Sequence, residues 1–163
     1  MDEEEFCIAS VDEKGQITVL RHIYFQCTGC AECCIANRIP VTEKDLLRMQ
    51  ENGIEFDQAL EEMSPVLIPS NNVEDSFVKA YILRKKPFVN ECVFLNEEKK
   101  CKIHEFKPLA CCTYPFAVRI RENKIIILIH PRSVCKFIQF DVSEEKSNTI
   151  DIVRYLLSLK NLE

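Results

Sequence analysis

The stretch CTGCAECCIANRIPVT, from Cys27 to Thr42, places four cysteines within its first eight residues, and the last two of them are adjacent. Residues three or four positions apart share one face of a helix or tight turn, so Cys27, Cys30 and one of the adjacent pair can converge. Neighbouring side chains instead diverge, by about 100° in a helix and to opposite faces in a strand. The spacing therefore predicts that Cys33 and Cys34 serve two different centres, or that one of them is a spectator beside a single centre.

The composition indicates an ordinary globular protein. The chain has 163 residues, of which 47% are hydrophobic and 29% charged, and this fits a single domain over residues 1–163. A formal net charge of -5 argues against a nucleic-acid partner, because such partners usually require a basic surface.

Two features of the sequence bear on location. The longest apolar run, Ile125 to Ile129, is far shorter than the ~20 residues of a membrane span. The first residues read MDEEEF, unlike the positively charged start of a signal peptide. We therefore predict a cytoplasmic protein without a membrane partner. The sequence leaves its oligomeric state open.

The predicted compartment matters for the ten cysteines. Cytosolic thiols stay reduced, so a cluster of them indicates a metal site or catalysis rather than a disulfide scaffold. The cysteines that continue the pattern downstream are Cys92, Cys101, Cys111, Cys112 and Cys135. Cys7 stands apart from the pattern and is interpreted as a small buried hydrophobic residue.

Two kinds of metal centre fit this pattern. Zinc usually takes its four thiolates from two separated CxxC knuckles. This chain lacks the second knuckle, because Cys92, Cys101 and Cys111 are widely spaced. The close CxxCxxC triple is more typical of an iron–sulfur cluster, and in bacterial ferredoxins a fourth cysteine reaches a second cluster. The sequence favours one or two iron–sulfur clusters, with zinc as the alternative.

The predicted elements are those of an α+β protein, a small mixed domain with β-hairpins and a C-terminal helix at about 144–162. The cysteine-rich irregular portion, about 25–135, is the metal-binding part. Hairpins are predicted around Lys14-Gly15, between Val66 and Leu83, and across FAVRIRENKIIILIHP with Glu122-Asn123 at the turn. Helices are predicted after the N-cap Thr42 with a stop at Gly53, from Asp57 to Met63, and after the N-cap Ser143 with Ile150, Val153 and Leu157 on one face.

Two blocks of the sequence, FQCTGCAECC at Phe25 to Cys34 and CVFLNEEKKCKIHEFKPLACCTYPF at Cys92 to Phe116, resemble a known family. The family is the YkgJ-like cysteine-cluster proteins, whose CxxCxxCC domain is considered to chelate zinc or iron. The resemblance covers about Phe25 to Cys135. It implies the following metal ligands: Cys27, Cys30, Cys33, Cys34, Cys92, Cys101 and Cys111, with Cys135 as the eighth.

The chain departs from the family pattern at several positions. Ala31 replaces a glycine, and Lys107 replaces an arginine before proline. Cys112 stands where the family usually has arginine, so it is either a spare thiol or a replacement for Cys111. His104 replaces a tyrosine, and it is either a nitrogen ligand or a side chain that fills the aromatic position. The TYPF segment that follows is predicted to set the backbone around the second block.

Three functional hypotheses follow. The first is an iron–sulfur protein that transfers electrons to a protein redox partner or assists redox or modification chemistry. The second is a zinc-stapled interaction module. The third is a metal-dependent transferase, because a flagellin lysine N-methylase contains a similar domain. The chain lacks a glycine-rich cofactor fingerprint, so the sequence assigns no catalytic residue and leaves open whether the protein is an enzyme.

Overall fold

The computed structural model describes residues 6–70, 73–131 and 133–162, and the chain divides into two compact units. Unit 1 comprises Met1–Thr28, Ser70–Asp75 and Thr113–Asn161, and unit 2 comprises Gly29–Pro69, Ser76–Cys112 and Leu162–Glu163. Each unit has its own antiparallel strands and its own apolar core. The single domain over residues 1–163 stays a prediction.

In chain order the strands are β1 (Cys7–Val11), β2 (Ile17–Val19), β3 (Tyr24–Phe25), β4 (Pro40–Thr42), β5 (Val66–Pro69), β6 (Phe77–Ile82), β7 (Phe116–Arg121), β8 (Lys124–Ile129) and β9 (Ile138–Gln139). The α-helices are α1 (Glu32–Ala36), α2 (Glu43–Glu51), α3 (Phe56–Ala59), α4 (Leu109–Thr113) and α5 (Thr149–Ser158). Short 3-10 helices cover His104–Phe106, Glu144–Lys146 and Leu159–Leu162. Hairpin strands and separate helices confirm the predicted α+β class. Among the described helices, none combines the length and apolar character that a membrane crossing requires.

The main sheet of unit 1 has the strand order β2-β1-β8-β7, and its neighbouring strands are antiparallel. Its two outer pairs are hairpins that the sequence predicts. Glu122 and Asn123 have φ of 48° and 60°, the left-handed pair that a two-residue type I′ turn requires. Gly15, with φ of 80°, supplies the left-handed residue between β1 and β2. These two turns set the register of the strands whose side chains form the core of unit 1.

Helix α5 packs against the unit 1 core with a face that overlaps in part with the predicted one. Ile152, Val153 and Leu156 are buried in this core, whereas Ile150 is 44% exposed. Of the predicted face, Val153 is buried and Leu157 packs against the core, whereas Ile150 lies outside the buried set.

The start of α5 explains this difference. The Thr149 hydroxyl accepts a hydrogen bond from the Ile23 N–H at 3.0 Å. The Asn148 side-chain oxygen accepts a hydrogen bond from the Phe25 N–H at 3.0 Å, and its amide nitrogen donates one to the Phe25 carbonyl at 2.7 Å. These side chains fix the rotation of the helix and delay its start to Thr149, so Ser143 precedes only a 3-10 turn.

Unit 2 begins with elements that follow their local signals. The Thr42 hydroxyl accepts a hydrogen bond from the Asp45 N–H, and the Asp45 carboxylate accepts one from the Thr42 N–H, which is a complete capping box. Gly53, with φ of 83°, follows the end of the helix. The predicted N-cap and stop of α2 are confirmed.

The sheet of unit 2 has the strand order β4-β6-β5. Strands β5 and β6 form the predicted hairpin, while its Asn71-Asn72 pair lies outside the described residues, as do residues 1–5 of the MDEEEF start. Helix α3 is shorter than predicted, because Leu60 leaves the helix to pair with Leu83 in an isolated β-bridge.

Candidate metal centre

All ten cysteines lie within the described residues, and none of them forms a disulfide bond there. The cysteines of unit 2 are Cys30, Cys33, Cys34, Cys92, Cys101, Cys111 and Cys112. The cysteines of unit 1 are Cys7, Cys27 and Cys135. One compact unit therefore contains six of the eight predicted ligands.

The chain before α1 turns through left-handed positions on both sides of Cys30. Gly29 has φ of 71° and Ala31 has φ of 63°. Glycine adopts this conformation readily, whereas an alanine there costs roughly 1–2 kcal/mol. The positive φ at position 31 thus explains why the family pattern has glycine there. The turn leaves Cys30 exposed and lets α1 begin at Glu32.

We expect Ala31→Val to destabilise the protein by about 2 kcal/mol, because a β-branched side chain is strongly disfavoured at positive φ. Ala31→Gly is the matched control. It relieves the backbone strain but removes a buried methyl group, so it should stay within about 1 kcal/mol of the wild type. Urea unfolding of the metal-free proteins measures both changes. Equal stability of the two variants would contradict the left-handed turn.

Cys33 and Cys34 are consecutive on α1, yet their sulfurs lie within hydrogen-bonding reach of each other. The hydrogen bond with the Cys34 thiol lowers the pKa of Cys33 to about 6 and raises the pKa of Cys34. Burial opposes the first shift, and the nearby Lys107 charge supports it. One of the two sulfurs is therefore readily available as a thiolate, the form that binds metal.

The carbonyl oxygen of Cys34 connects the first cysteine block to the second. It accepts hydrogen bonds from the Cys92 N–H at 2.9 Å and from the Lys85 ammonium at 2.7 Å. Lys85 also donates to the Ile35 carbonyl at 3.1 Å, so it satisfies carbonyl groups near the end of α1. Lys85 and Cys92 themselves form an antiparallel bridge pair. The Cys92 backbone is thereby fixed beside α1.

A tight turn returns the chain from Cys92 to Cys101. The Asn96 side chain accepts a hydrogen bond from the Lys100 N–H at 2.8 Å, and the Asn96 N–H donates to the Lys100 carbonyl at 2.9 Å. Leu95 and Cys101 then pair in an antiparallel bridge. Burial raises the pKa of both Cys92 and Cys101, and the nearby charge of Cys101 adds to the shift at Cys92.

Helix α4 presents Cys111 and Cys112 to different surroundings. Burial raises the pKa of Cys111, and the neighbouring thiols of α1 and of the second block raise it further. The Cys112 sulfur instead lies 3.8 Å from the Lys107 carbonyl oxygen, near the charges of Arg48 and Asp45. Cys111 packs in the core cluster of unit 2 that also includes Cys34, Cys92 and Cys101, so it is the member of this pair that lies with the other candidate ligands.

A buried carboxylate that the sequence reasoning missed holds the segment before Cys111. Asp45 is fully buried and accepts hydrogen bonds from the Leu109 N–H at 3.0 Å and from the Arg48 guanidinium at 2.6 Å. Arg48 also donates to the Lys107 carbonyl at 2.9 Å. We call Asp45 and Arg48 the clamp, because they tie the backbone that enters α4 to helix α2.

Five thiols of unit 2 are linked to one another by hydrogen bonding or nearby charge, and we call them the thiol group: Cys33, Cys34, Cys92, Cys101 and Cys111. The charge of Cys112 also raises the pKa of Cys111, but the Cys112 sulfur lies at the Lys107 carbonyl oxygen and is not included. Within residues 6–70, 73–131 and 133–162, no three histidine, cysteine or acidic side chains already form a metal-ligand set. Thiolates are soft donors that suit both zinc and iron–sulfur clusters, so the chemistry of the group fits such a metal. Binding would draw the thiols together and release their protons.

Cys27 and Cys135 lie near the same end of the small β3–β9 sheet of unit 1. Phe25 pairs with Ile138 in that sheet. Cys27 follows Phe25 by two residues, and Cys135 precedes Ile138 by three. Cys27 is exposed and Cys135 is half-buried. Their role as metal ligands stays a prediction.

The TYPF segment contributes to the backbone of unit 1. The Tyr114 hydroxyl accepts a hydrogen bond from the Val134 N–H at 2.8 Å and lies 3.3 Å from the Ser133 hydroxyl. The same Ser133 hydroxyl accepts a hydrogen bond from the Cys135 N–H at 3.2 Å. Tyr114 therefore orders the turn that carries Cys135.

Two remaining candidates have clear positions. His104 is exposed on its 3-10 helix, which fits the alternative of a surface side chain, and its role as a ligand stays a prediction. The Cys7 sulfur lies 3.6 Å from the carbonyl oxygens of Ala9 and Ile127, within the main sheet of unit 1. Cys7 is thus packed as a half-buried side chain of β1.

Comparison with known proteins identifies the class to which this chain belongs. The model of the CxxCxxCC family, described as "Putative zinc- or iron-chelating domain", matches residues 26–136. The chain belongs to this family, and its cysteines bind metal. An uncharacterized protein of Methanocaldococcus jannaschii is 32% identical over 110 residues, which are 66% of this chain and 53% of that protein. The chain thus spans about half the length of this curated relative, and no solved structure matches it significantly.

Proposed function

We propose that this protein holds an iron–sulfur cluster in the thiol group of unit 2 and transfers electrons to a protein partner in the cytoplasm. The observation that carries the proposal is the thiol group itself, in which α1, the bridge residues Cys92 and Cys101, and α4 contribute sulfurs to one core cluster. Iron–sulfur clusters are held by thiolates in this way. A cytoplasmic location keeps such thiols reduced.

Four of the five thiols would close either a tetrahedral zinc site or an iron–sulfur cluster. The close CxxCxxC spacing of Cys27, Cys30 and Cys33 supports the cluster. Cys92, Cys101 and Cys111, together with one of the adjacent pair on α1, make a complete set of four for a single cluster. The second member of the pair is then the spectator thiol. A closed set of four favours electron transfer, because it leaves no metal position for substrate.

The thiol group lies against the apolar core of unit 2. Cys92 is 5% exposed, and Cys34, Cys101 and Cys111 pack against a core cluster that includes Phe94. Apolar surroundings and backbone hydrogen bonds set the reduction potential of a cluster by limiting water and stabilising charge. The packing therefore supports a shielded redox centre.

Two cavities of the described residues do not place a substrate beside the thiol group. One cavity of about 220 Å³ in unit 1 is lined by residues that include His22 and Asp151, and another of about 400 Å³ in unit 2 is lined by residues that include Thr42 and Lys79. Neither of these two cavities is lined by a cysteine. A substrate bound in either one would not contact the thiol group directly.

A zinc-stapled interaction module is the second candidate, and the backbone of the site favours it. Between Leu83 and Leu109 the described chain is held by isolated β-bridges and one 3-10 helix rather than by longer elements. A segment of this kind gains much of its folding free energy from a bound metal. In that case the metal stabilises a binding surface and carries no electrons.

Metal analysis of anaerobically purified protein separates the two candidates. We expect iron and acid-labile sulfide in about equal amounts, with a broad visible absorption band that bleaches on reduction with dithionite. Colourless protein that contains zinc and no labile sulfide would reject the redox function and leave the interaction module.

A further inference from the structure

A positive charge lies beside the thiol group. The Lys85 ammonium donates hydrogen bonds to the carbonyl oxygens of Cys34 and Ile35, and its backbone pairs with Cys92. The side chain is half-buried. Both acceptors are neutral carbonyl groups, so neither of them offsets the charge of the ammonium.

A nearby positive charge stabilises a metal–thiolate complex. Four thiolates outweigh the two positive charges of Zn²⁺ or of an oxidised [4Fe–4S] core, so either complex is a net anion. A buried anion is costly unless a charge or hydrogen bonds compensate for it. We propose that Lys85 is the counter-cation and a positioning residue of the metal centre, orienting Cys34 through its carbonyl group and stabilising the anionic complex.

Lys85 is better suited to this role than the neighbouring cations. Its ammonium bonds the Cys34 carbonyl at 2.7 Å and its backbone pairs with Cys92, so its charge lies beside two members of the thiol group. Lys86 has its ammonium 3.6 Å from the carboxylate of Glu91, which offsets its charge. The inference rests on the proposed function only in that the thiol group binds metal, and it holds for zinc or iron.

Zinc affinity tests the inference. Zn²⁺ alone is titrated against a chromophoric chelator into the wild type, Lys85→Met, Lys85→Gln and Lys85→Arg, with Lys79→Met as an exposed lysine control on β6. We expect Lys85→Met and Lys85→Gln to weaken zinc binding by about 10- to 100-fold. The zinc affinity of Lys85→Arg should stay within about threefold of the wild type, and that of Lys79→Met should equal it. Both variants keep a positive charge at position 85.

The variants separate charge from structure. Lys85→Gln keeps a hydrogen-bond donor without the charge, so wild-type affinity in this variant would overturn the proposal. A loss with Lys85→Arg as large as that with Lys85→Met would overturn it as well. Melting of the metal-free proteins shows which variants fold, and in iron-loaded protein Lys85→Gln should have a more negative reduction potential. If the wild type binds neither metal, the proposed function fails; if it binds and Lys85→Met binds equally well, only the role of Lys85 fails.

Discussion

Replacing Cys111 by serine is expected to remove most of the bound metal, whereas the same change at Cys112 should leave the metal content unchanged. The two residues are adjacent on α4, but burial among other thiols defines the surroundings of Cys111, while the Cys112 sulfur lies near the clamp. A serine oxygen is a poor replacement for a soft thiolate ligand. Metal per protein chain, measured by elemental analysis after anaerobic purification, gives the comparison.

The pair of variants controls for side effects of substitution. Both changes remove one half-buried thiol from the same helix, so a general loss of packing should affect them alike. Metal loss in Cys112→Ser with retention in Cys111→Ser would reverse the assignment, and Cys112 would then be the ligand in place of Cys111. Equal loss would show that α4 as a whole, rather than one thiol, holds the metal.

The second large effect is expected at the clamp. Asp45→Ala should lower the free energy of unfolding by about 3 kcal/mol, because it leaves the Arg48 guanidinium and the Leu109 N–H without their buried acceptor. It should also weaken metal binding, since the backbone that carries Cys111 loses its tie to α2. Urea unfolding of metal-free protein and zinc titration measure the two consequences separately.

Glu43→Ala is the control for this experiment, because Glu43 is an exposed acid in the first turn of the same helix. We expect Glu43→Ala to change the free energy of unfolding by less than about 0.5 kcal/mol. If Asp45→Ala unfolds at the same urea concentration as the control, the clamp does not stabilise the site. If it is destabilised but binds zinc with unchanged affinity, the clamp supports the fold without positioning Cys111.

The elements that the sequence predicted well are those with local causes. The N-cap at Thr42 depends on a residue three positions away, and the turn at Glu122-Asn123 depends on the two residues that form it. The close spacing of the first four cysteines is likewise a local pattern, and it is enough to indicate a metal site. These signals can be read from short windows of the chain.

The features that the sequence did not predict depend on distant contacts. Lys85 meets the Cys34 carbonyl across 51 positions, and Leu109 donates to Asp45 across 64. The rotation of α5 is fixed by a hydrogen bond between Ile23 and Thr149, 126 positions apart. A lysine in a basic run and an aspartate in a capping box have satisfactory local interpretations, so nothing nearby in the sequence points to their second roles.

The adjacent cysteine pairs show where spacing alone fails. Helical divergence predicts separate surroundings for both pairs, and this describes Cys111 and Cys112. Cys33 and Cys34 diverge by the same rule, but their sulfurs still come within hydrogen-bonding reach on α1. Consecutive spacing therefore does not decide whether two thiols share one centre.

Differential alkylation tests most directly whether the thiol group is the metal centre. Metal-loaded and metal-free proteins are treated with a thiol reagent, and the modified cysteines are located by mass spectrometry. We predict that metal protects at least four of Cys33, Cys34, Cys92, Cys101 and Cys111, while Cys112 and Cys7 react equally in both forms. Protection of Cys112 without protection of the thiol group, or equal reactivity of all ten cysteines in both forms, would contradict the account.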